Sequence, residues 1–150
     1  MSDVLSSLTR YSHFVYTLAD RFPSIQRPTL VLRPTGTGFG ETEGELAFRG
    51  EVRLRVREVV NFDLGRLHYY SYAVYCGEER KYWYDSQAHP NDPSLASTHP
   101  HHKHVPPDIK HNRVPAPGLS FEQPNLPVII QEIETTLLAQ CQPPPPATSA

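Results

Sequence analysis

The sequence contains few cysteines, little net charge and no long apolar run. Cys76 and Cys141 are far apart and form no C-x-x-C pair, and there is no apolar leader with a small-residue cleavage site. We therefore expect a cytoplasmic protein. No segment approaches the roughly 18 to 20 apolar residues that span a bilayer, so we expect no membrane anchor.

The charged residues nearly balance, with 14 basic and 16 acidic side chains and a net charge of −2. Overall charge therefore cannot attract nucleic acid, and any such site must be a local basic patch. The 150 residues suffice for one domain with one core. We expect a single α+β domain over residues 1–141, followed by a disordered proline-rich tail over residues 142–150.

Apolar periodicity predicts a helix near each end of the chain, over residues 2–22 and 126–141. Between them, short β-rich segments predict strands at 28–34, 45–49, 51–62, 67–76 and 80–85. The glycine-rich segment 35–44 lies between two of these strands, so we interpret it as a connection and not as a phosphate-binding loop. The sequence thus predicts an α+β fold, with two helices covering one face of a four- to five-stranded antiparallel sheet.

One predicted strand carries two different faces. In segment 52–58, three apolar residues alternate with Arg53, Arg55 and Arg57, so the arginines share one face. Glu58 then falls on the apolar face, where a carboxylate must be desolvated or hydrogen-bonded, unless a bulge returns it to water. Desolvated carboxylates are common in active sites. The arginine row is either a phosphate-binding stripe or a solvated sheet surface.

Histidines are concentrated in one segment of the chain. Six of the eight lie between His89 and His111, where frequent prolines predict an ordered, non-helical loop. Because imidazole titrates near neutral pH and also binds metals, this segment is a candidate acid–base or metal site. In RNA cleavage, one group deprotonates the ribose 2′-OH, another protonates the leaving 5′ oxygen, and a cation stabilises the phosphorane.

Three interpretations of the histidine segment remain open. The first is metal-free acid–base catalysis, for which the candidate catalytic residues are His101, His104, Glu58, His89 and Lys103. In the second, the segment binds zinc or a related metal, with the candidate ligands His89, His99, His101, His102, His104 and Asp85. In the third, the histidines are only hydrogen-bonded or solvated. Candidate substrate-binding residues are Tyr72, Tyr84, Asp85, His102, Lys110, His111 and Arg113.

The order of these features resembles the TumE family, the toxin components of bacterial toxin–antitoxin systems, over residues 5–134. The matching positions are Glu58 in RVREVV, Tyr72 in YYSYAVY, Tyr84 and Asp85, Ala88-His89-Pro90, and PHHKH at 100–104. The resemblance implies an RNase-toxin-like α+β fold, a toxic endoribonuclease activity and a cognate antitoxin protein. Nucleases with a similar site can instead degrade cyclic oligonucleotides, including the second messengers of CRISPR antiviral defence.

From the residues and the resemblance together we expect a cytoplasmic ribonuclease toxin that uses His/Glu general acid–base catalysis without a metal cofactor. A ring nuclease acting on cyclic oligonucleotides is one alternative, and a non-catalytic interaction module, such as a degenerate toxin, is another. The expected partners are RNA or a cyclic oligonucleotide and a cognate antitoxin, without a membrane. The sequence leaves a homodimer open.

Overall fold

The computed structural model describes residues 3–141, which form one β-sheet and several short helices. The helices are the 3₁₀ helices Asp3–Ser6, Arg49–Glu51 and Pro93–Thr98, the α-helices α1 (Leu8–Tyr16), α2 (Leu18–Arg21) and α3 (Leu126–Glu132), and the π-helix Ile133–Leu137. The strands are β1 (Arg27–Pro28), β2 (Val31–Pro34), β3 (Phe39–Ala47), β4 (Val52–Asn61), β5 (Arg66–Cys76), β6 (Glu79–Asp85), β7 (His102–His104) and β8 (Arg113–Pro115).

All eight strands belong to one open antiparallel sheet of order β1-β3-β4-β5-β6-β7-β8, with β2 also paired to β3. The predicted α+β class is confirmed, but the predicted number of four or five strands is wrong. The segment predicted as one strand at 28–34 forms the two short strands β1 and β2. In addition, the proline-rich region beyond residue 100, predicted as a loop, supplies β7 and β8.

The helices near the two ends are shorter than the apolar periodicity predicted. The first is divided at Thr17 into α1 and α2, and the hydroxyl of Ser7 caps α1 by accepting a hydrogen bond from the Arg10 N–H. At the other end, α3 continues directly into the π-helix. Within residues 3–141, no helix is long and apolar enough to cross a membrane. The predicted tail, 142–150, lies outside the described residues.

Residues 35–38 of the glycine-rich segment form the turn between β2 and β3, as expected of a connection, but residues 39–44 belong to β3. Gly44 lies inside β3 with φ of +138°, and the backbone of Thr29 occupies the place where a Cβ atom would be. A side chain at position 44 would therefore push β3 away from the segment between β1 and β2. Close backbone packing explains this glycine without a ligand.

The inner face of the sheet packs against α1 and α3. Tyr11 in α1 donates a hydrogen bond to Glu58 in β4, and Tyr84 in β6 donates one to Glu132 in α3. Most of the apolar core, including Leu54, lies on this side. The helices therefore mark the inner face by direct contacts.

The outer face carries the side chains that alternate with those of the inner face. Arg57, Ser71, Asp85 and His102 are aligned across β4 to β7 by the strand register, and directly paired residues project to the same side of an antiparallel sheet. The outer face is thus polar and rich in histidine and arginine.

Cys76 at the end of β5 and Cys141 after the π-helix form a disulfide. The sequence did not predict this pair, because the two residues are separated by 65 positions and sequence spacing gives no sign of their proximity. Disulfides persist mainly in oxidising compartments. The argument from cysteine usage therefore no longer supports the cytoplasmic location expected from the sequence.

Candidate active site

Three side chains converge on the outer face, and we call them the outer cluster: Asp85, His102 and His104. The Nε2 atom of His102 lies 3.1 Å from Nε2 of His104 and 3.1 Å from Oδ1 of Asp85. Nε2 of His104 lies 3.5 Å from Oδ2 of Asp85. Three polar groups of two adjacent strands therefore point toward one common centre.

The strand geometry of β7 brings the two histidines together. Side chains alternate along a strand, so His102 and His104 share the outer face while Lys103 lies on the inner face. Asp85 is directly opposite His102 in the β6–β7 pair. Only 1% of the His102 side chain and 5% of the His104 side chain are exposed, so the cluster is largely shielded from water.

Backbone carbonyls fix the orientation of both imidazole rings. Nδ1 of His102 lies 3.0 Å from the carbonyl oxygen of Pro100, and Nδ1 of His104 lies 2.9 Å from that of Ile109. A carbonyl oxygen can only accept a hydrogen bond, so each Nδ1 carries the proton and donates it. In the neutral form of each ring, Nε2 is therefore left with a lone pair directed at the centre of the cluster.

The Asp85 carboxylate is also held in place. Oδ1 accepts a hydrogen bond of 2.9 Å from the Gln87 N–H, and Oδ2 accepts one of 3.0 Å from the Trp83 indole. The Trp83 ring stacks on His104 with 3.6 Å between the centroids. Burial by itself raises the pKa of Asp85, but hydrogen bonds from His102 and Trp83 outweigh it and lower this pKa to about 2.

The pKa values of the two histidines of the outer cluster are shifted in opposite directions. Burial lowers the pKa of both rings. For His102, hydrogen bonds with Asp85 and with the Pro100 carbonyl outweigh burial, so its pKa is raised. For His104, burial dominates and the pKa is lowered. When the cluster holds one proton, that proton therefore resides on His102.

A cleft of about 410 Å³ lies beside the outer cluster, lined by Ala88, His89, Pro90, Asn91, Asp92 and Arg113. The His89 ring meets the His102 ring edge to face, with 4.8 Å between the centroids. Arg113 is paired with His104 across β7 and β8, and its guanidinium is 4.0 Å from Asp92. The cleft therefore brings a histidine and a guanidinium next to the cluster.

The arginine row of β4 lies on the same face as the outer cluster. Arg53 is paired with Glu45 at 3.0 Å and Arg57 with Glu41 at 3.4 Å, whereas Arg55 has no ion-pair partner within 4.0 Å among residues 3–141. The row is therefore partly neutralised. Two lines of register connect it to the cluster: Arg57-Ser71-Asp85-His102 and Arg55-Ala73-Trp83-His104.

Glu58 lies on the opposite side of the sheet. It is completely buried on the inner face, as its place in the alternation predicted, and its carboxylate accepts hydrogen bonds from the hydroxyls of Tyr11 and Tyr72. Burial raises the pKa of Glu58, although these hydrogen bonds act in the other direction. We call Glu58, Tyr11 and Tyr72 the inner cluster. The expected meeting of Glu58 with the histidines around one phosphate does not occur, because the sheet separates them.

Lys103 and Tyr84 are also directed inward. Nζ of Lys103 is 3.3 Å from Glu132 of α3, and it lies over the Tyr82 ring at 4.3 Å from the centroid. Tyr84 donates a hydrogen bond of 2.8 Å to the same carboxylate of Glu132. These contacts join β6 and β7 to α3, on the side of the sheet away from the cleft.

His101 is separated from His102 and His104 although it is adjacent in sequence. Its Nδ1 lies 2.5 Å from the hydroxyl of Tyr70, on whose ring it stacks at an interplanar angle of 3°. Lys110 and His111 are exposed before β8, and His111 contacts Asp108 at 3.1 Å. Of the residues predicted from sequence, the structure therefore brings together Asp85, His89, His102, His104 and Arg113.

Sequence reasoning missed two groups that orient the outer cluster, Trp83 and the backbone N–H of Gln87. The signal for Trp83 is its spacing. It lies two residues before Asp85, so in a strand the two side chains share a face. The indole N–H of Trp83 can donate a hydrogen bond, so this spacing is the signal that links it to Asp85.

Comparison with known proteins gives one match. The family model described as toxin TumE matches residues 17–137, which include all the strands and both clusters except Tyr11. No curated protein and no solved structure matches the chain. The region identified from its sequence pattern and the region of the family match agree closely. The chain therefore belongs to the TumE family of toxins.

Proposed function

We propose that this toxin cleaves RNA phosphodiester bonds and that the outer cluster is its reacting centre. The observation that supports this proposal is the position of the cluster. Asp85, His102 and His104 lie behind His89, which lines a cleft and contacts the His102 ring. They share the face of the sheet that carries Arg55 and Arg57. Groups suited to phosphodiester chemistry are thus combined with groups suited to binding phosphate.

Two arginines of the outer face, Arg55 and Arg113, support an RNA substrate. An RNA backbone carries one negative charge at each phosphate, and guanidinium groups bind phosphate oxygens through parallel hydrogen bonds. Arg113 lies at the cleft, and Arg55 lies on the line of register that leads to His104. Because the net charge of the chain is −2, this local arrangement and not overall charge would attract RNA.

The reaction that fits these groups is attack of a ribose 2′-OH on the neighbouring phosphorus. The O2′–P bond forms and the P–O5′ bond breaks, while one proton leaves O2′ and one is added to O5′. Arg113 would stabilise the negative charge on the phosphorane. Asp85, His102 and His104 would hold the group, a proton or a metal ion, that supplies further positive charge there. His89, between the cleft and His102, is the ring nearest to a substrate in the cleft.

We propose a linear RNA as the substrate that lies on the outer face. The two lines of register run across four strands, from β4 to β7, a distance of about 14 Å at the usual spacing between strands. A linear RNA can follow such a line with successive phosphates. A cyclic oligonucleotide remains the alternative substrate and is included in the test below.

In the cell, we propose that the toxin acts on RNA in the cytoplasm and that a cognate antitoxin blocks it by covering the outer face. The reducing cytoplasm would open the disulfide between Cys76 and Cys141, leaving two thiols side by side. Both residues lie away from the outer cluster, so this location is compatible with the proposed chemistry. A homodimer stays a prediction.

The test is a cleavage assay with labelled single-stranded RNA and purified protein. We expect Asp85→Asn to lower the rate by about two to four orders of magnitude, because the carboxylate that orients His102 becomes a neutral amide. The matched control is His68→Ala, an exposed histidine of β5 that we expect to leave the rate unchanged. Expression of the wild-type protein, but not of Asp85→Asn, should arrest bacterial growth.

Two outcomes would replace this proposal. Rapid opening of a cyclic oligonucleotide by the wild-type protein, with long RNA left intact, would identify a ring nuclease. No cleavage of either substrate with any divalent ion, combined with normal growth during expression, would identify a non-catalytic interaction module.

A further inference from the structure

We propose that Asp85, His102 and His104 bind a divalent transition-metal ion, with zinc as the preferred ion, through the carboxylate and the two Nε2 atoms. The sequence favoured a metal-free site, and the geometry of the outer cluster now points to a metal. Metal binding can be measured without any substrate, so this inference does not rest on RNA cleavage.

The first argument is a count of hydrogen-bond donors and acceptors. Each Nδ1 proton is used by a backbone carbonyl, from Pro100 or Ile109, so the two Nε2 atoms face the centre with lone pairs. The third group, the Asp85 carboxylate, is also an acceptor. Three acceptors 3.1 to 3.5 Å apart repel one another unless a cation lies among them.

A proton satisfies this arrangement less well than a metal ion. A single proton on His102 can point along one of its contacts or divide between two, and the contact between His104 and Asp85 is left without a donor. Two protons would place two N–H groups head to head across the 3.1 Å between the Nε2 atoms. One metal ion at the centre accepts a lone pair from all three groups at once.

The distances between the donor atoms agree with a tetrahedral metal. Zinc binds histidine nitrogen and carboxylate oxygen at about 2.0 to 2.2 Å, which places neighbouring ligand atoms of a tetrahedron about 3.3 to 3.6 Å apart. The two Nε2 atoms are 3.1 Å apart, and they lie 3.1 and 3.5 Å from different oxygens of Asp85. With one ligand atom from each residue, the three atoms lie within 4.8 Å of one another. The side chains are therefore close enough for one tetrahedral ion once the Asp85 carboxylate turns a single oxygen toward both rings.

The groups surrounding the outer cluster are also those expected around a metal. Histidine ligands usually donate the other ring N–H to a carbonyl or carboxylate, and carboxylate ligands usually accept further hydrogen bonds. Both imidazoles make such a bond to a carbonyl, and Asp85 accepts from Trp83 and Gln87. Every proposed ligand is thus oriented by a group that does not itself coordinate the ion.

The ligand set indicates the type of metal. Two imidazoles and one carboxylate suit zinc, iron or nickel, whereas magnesium and calcium prefer oxygen ligands. Three protein ligands leave a fourth position for water or a substrate oxygen, as in catalytic zinc sites. The positive charge of Arg113 opposes a nearby cation, but its guanidinium lies beside Asp92, which reduces this repulsion.

The experiment is a calorimetric titration of EDTA-treated, dialysed protein with zinc chloride. We expect one ion per chain, and we expect His102→Ala and His104→Ala each to weaken binding by at least about 100-fold, since a lost ligand costs at least as much as a lost orienting group. His68→Ala should bind zinc with the wild-type affinity. Circular dichroism of each variant establishes that it is folded.

A second measurement needs no variant. We expect addition of zinc to the wild-type protein to shift the Nε2 nitrogen resonances of two histidines, and cobalt to give the intense visible absorption of a tetrahedral site. Absence of a stoichiometric ion in the wild-type protein would overturn the proposal. So would equal affinity in folded His102→Ala protein, because the ions would then lie on exposed histidines.

These results separate the metal site from the proposed activity. Stoichiometric zinc binding without cleavage of RNA would preserve the metal site and overturn the ribonuclease. RNA cleavage by a protein that binds no zinc and is unaffected by EDTA would preserve the ribonuclease and overturn the metal site.

Discussion

The two faces of the sheet each carry a buried polar cluster, and the clusters differ in their balance of donors and acceptors. In the inner cluster, the carboxylate of Glu58 accepts two hydrogen bonds, one from the hydroxyl of Tyr11 and one from that of Tyr72. In the outer cluster, Asp85 and the Nε2 atoms of His102 and His104 face one another, and a single proton on His102 leaves the contact between His104 and Asp85 without a donor. The inner cluster is complete without a ligand, whereas the proposed metal ion would complete the outer cluster.

This difference distinguishes a structural role from a functional one. Buried polar groups of a stable core are normally paired within the protein, as Glu58 is. A buried acceptor that faces only other acceptors lacks a partner within the protein. Such an arrangement suits a bound ion or substrate. Burial and a perturbed pKa occur in both clusters, so neither property by itself identifies the active site.

The largest expected effect on the rate of RNA cleavage comes from replacing a histidine of the outer face, compared with a nearby histidine of the inner face. His104→Ala should lower the rate of RNA cleavage by about two to four orders of magnitude, because it removes one of the three groups of the outer cluster. His101→Ala should have a much smaller effect, because this ring contacts Tyr70. Single-turnover kinetics measure both rates, and equal losses in the two variants would contradict the division between the faces.

Glu58→Ala is expected to change stability more than activity. The hydroxyls of Tyr11 and Tyr72 would each lose a buried acceptor, at about 1 to 3 kcal/mol per group, so the free energy of unfolding should fall by about 2 to 6 kcal/mol. Urea denaturation measures this loss. Glu58→Gln, which retains one oxygen acceptor, should lose less. A variant with wild-type stability and no cleavage would place Glu58 in the chemistry.

Trp83→Phe isolates the role of the indole N–H. The phenyl ring can still stack on His104, but Asp85 loses the hydrogen bond to Oδ2. We expect zinc affinity to fall by about 10- to 100-fold, as measured by the same calorimetric titration. An unchanged affinity would reduce Trp83 to a packing residue.

Arg55→Ala should have the smallest effect, confined to RNA binding. Loss of one phosphate contact makes the negative slope of log K (the association constant) against log salt concentration shallower by about 0.7 for a single strand. The affinity can be measured in the Asp85→Asn background, where the RNA stays intact. Arg53→Ala is the matched control, because Arg53 is already paired with Glu45. Equal slopes for both variants would exclude this row from the RNA path.

Much of the central sheet could be predicted from the sequence because its pattern is local. The alternation in segment 52–58 correctly placed Glu58 inward and the arginines outward, and the β-rich segments 67–76 and 80–85 correctly predicted the antiparallel strands β5 and β6. Such features depend on residues close together in the chain. The eight-stranded sheet depends on long-range pairing, which no local pattern specifies.

The division of the histidines could also have been predicted in part. The prolines at 100, 106 and 107 led to the prediction of a loop, yet His102, Lys103 and His104 alternate as a strand requires. Recognition of this alternation would have separated His101 and Lys103 from the other two histidines. The partner strand could not have been predicted in this way, because β6 and β7 are joined by a 16-residue connection, 86–101.

The disulfide encloses the entire outer cluster in a covalent ring. Asp85, His102 and His104 all lie between Cys76 and Cys141, which are separated by 65 residues. Closing a ring of this length lowers the conformational entropy of the unfolded chain and thereby stabilises the folded state by about 4 kcal/mol. A zinc ion would cross-link the same stretch from within, between positions 85 and 104. The disulfide and the metal ion would therefore stabilise the same segment of the folded chain. After reduction of the disulfide, the metal-loaded protein should lose less stability than the metal-free protein.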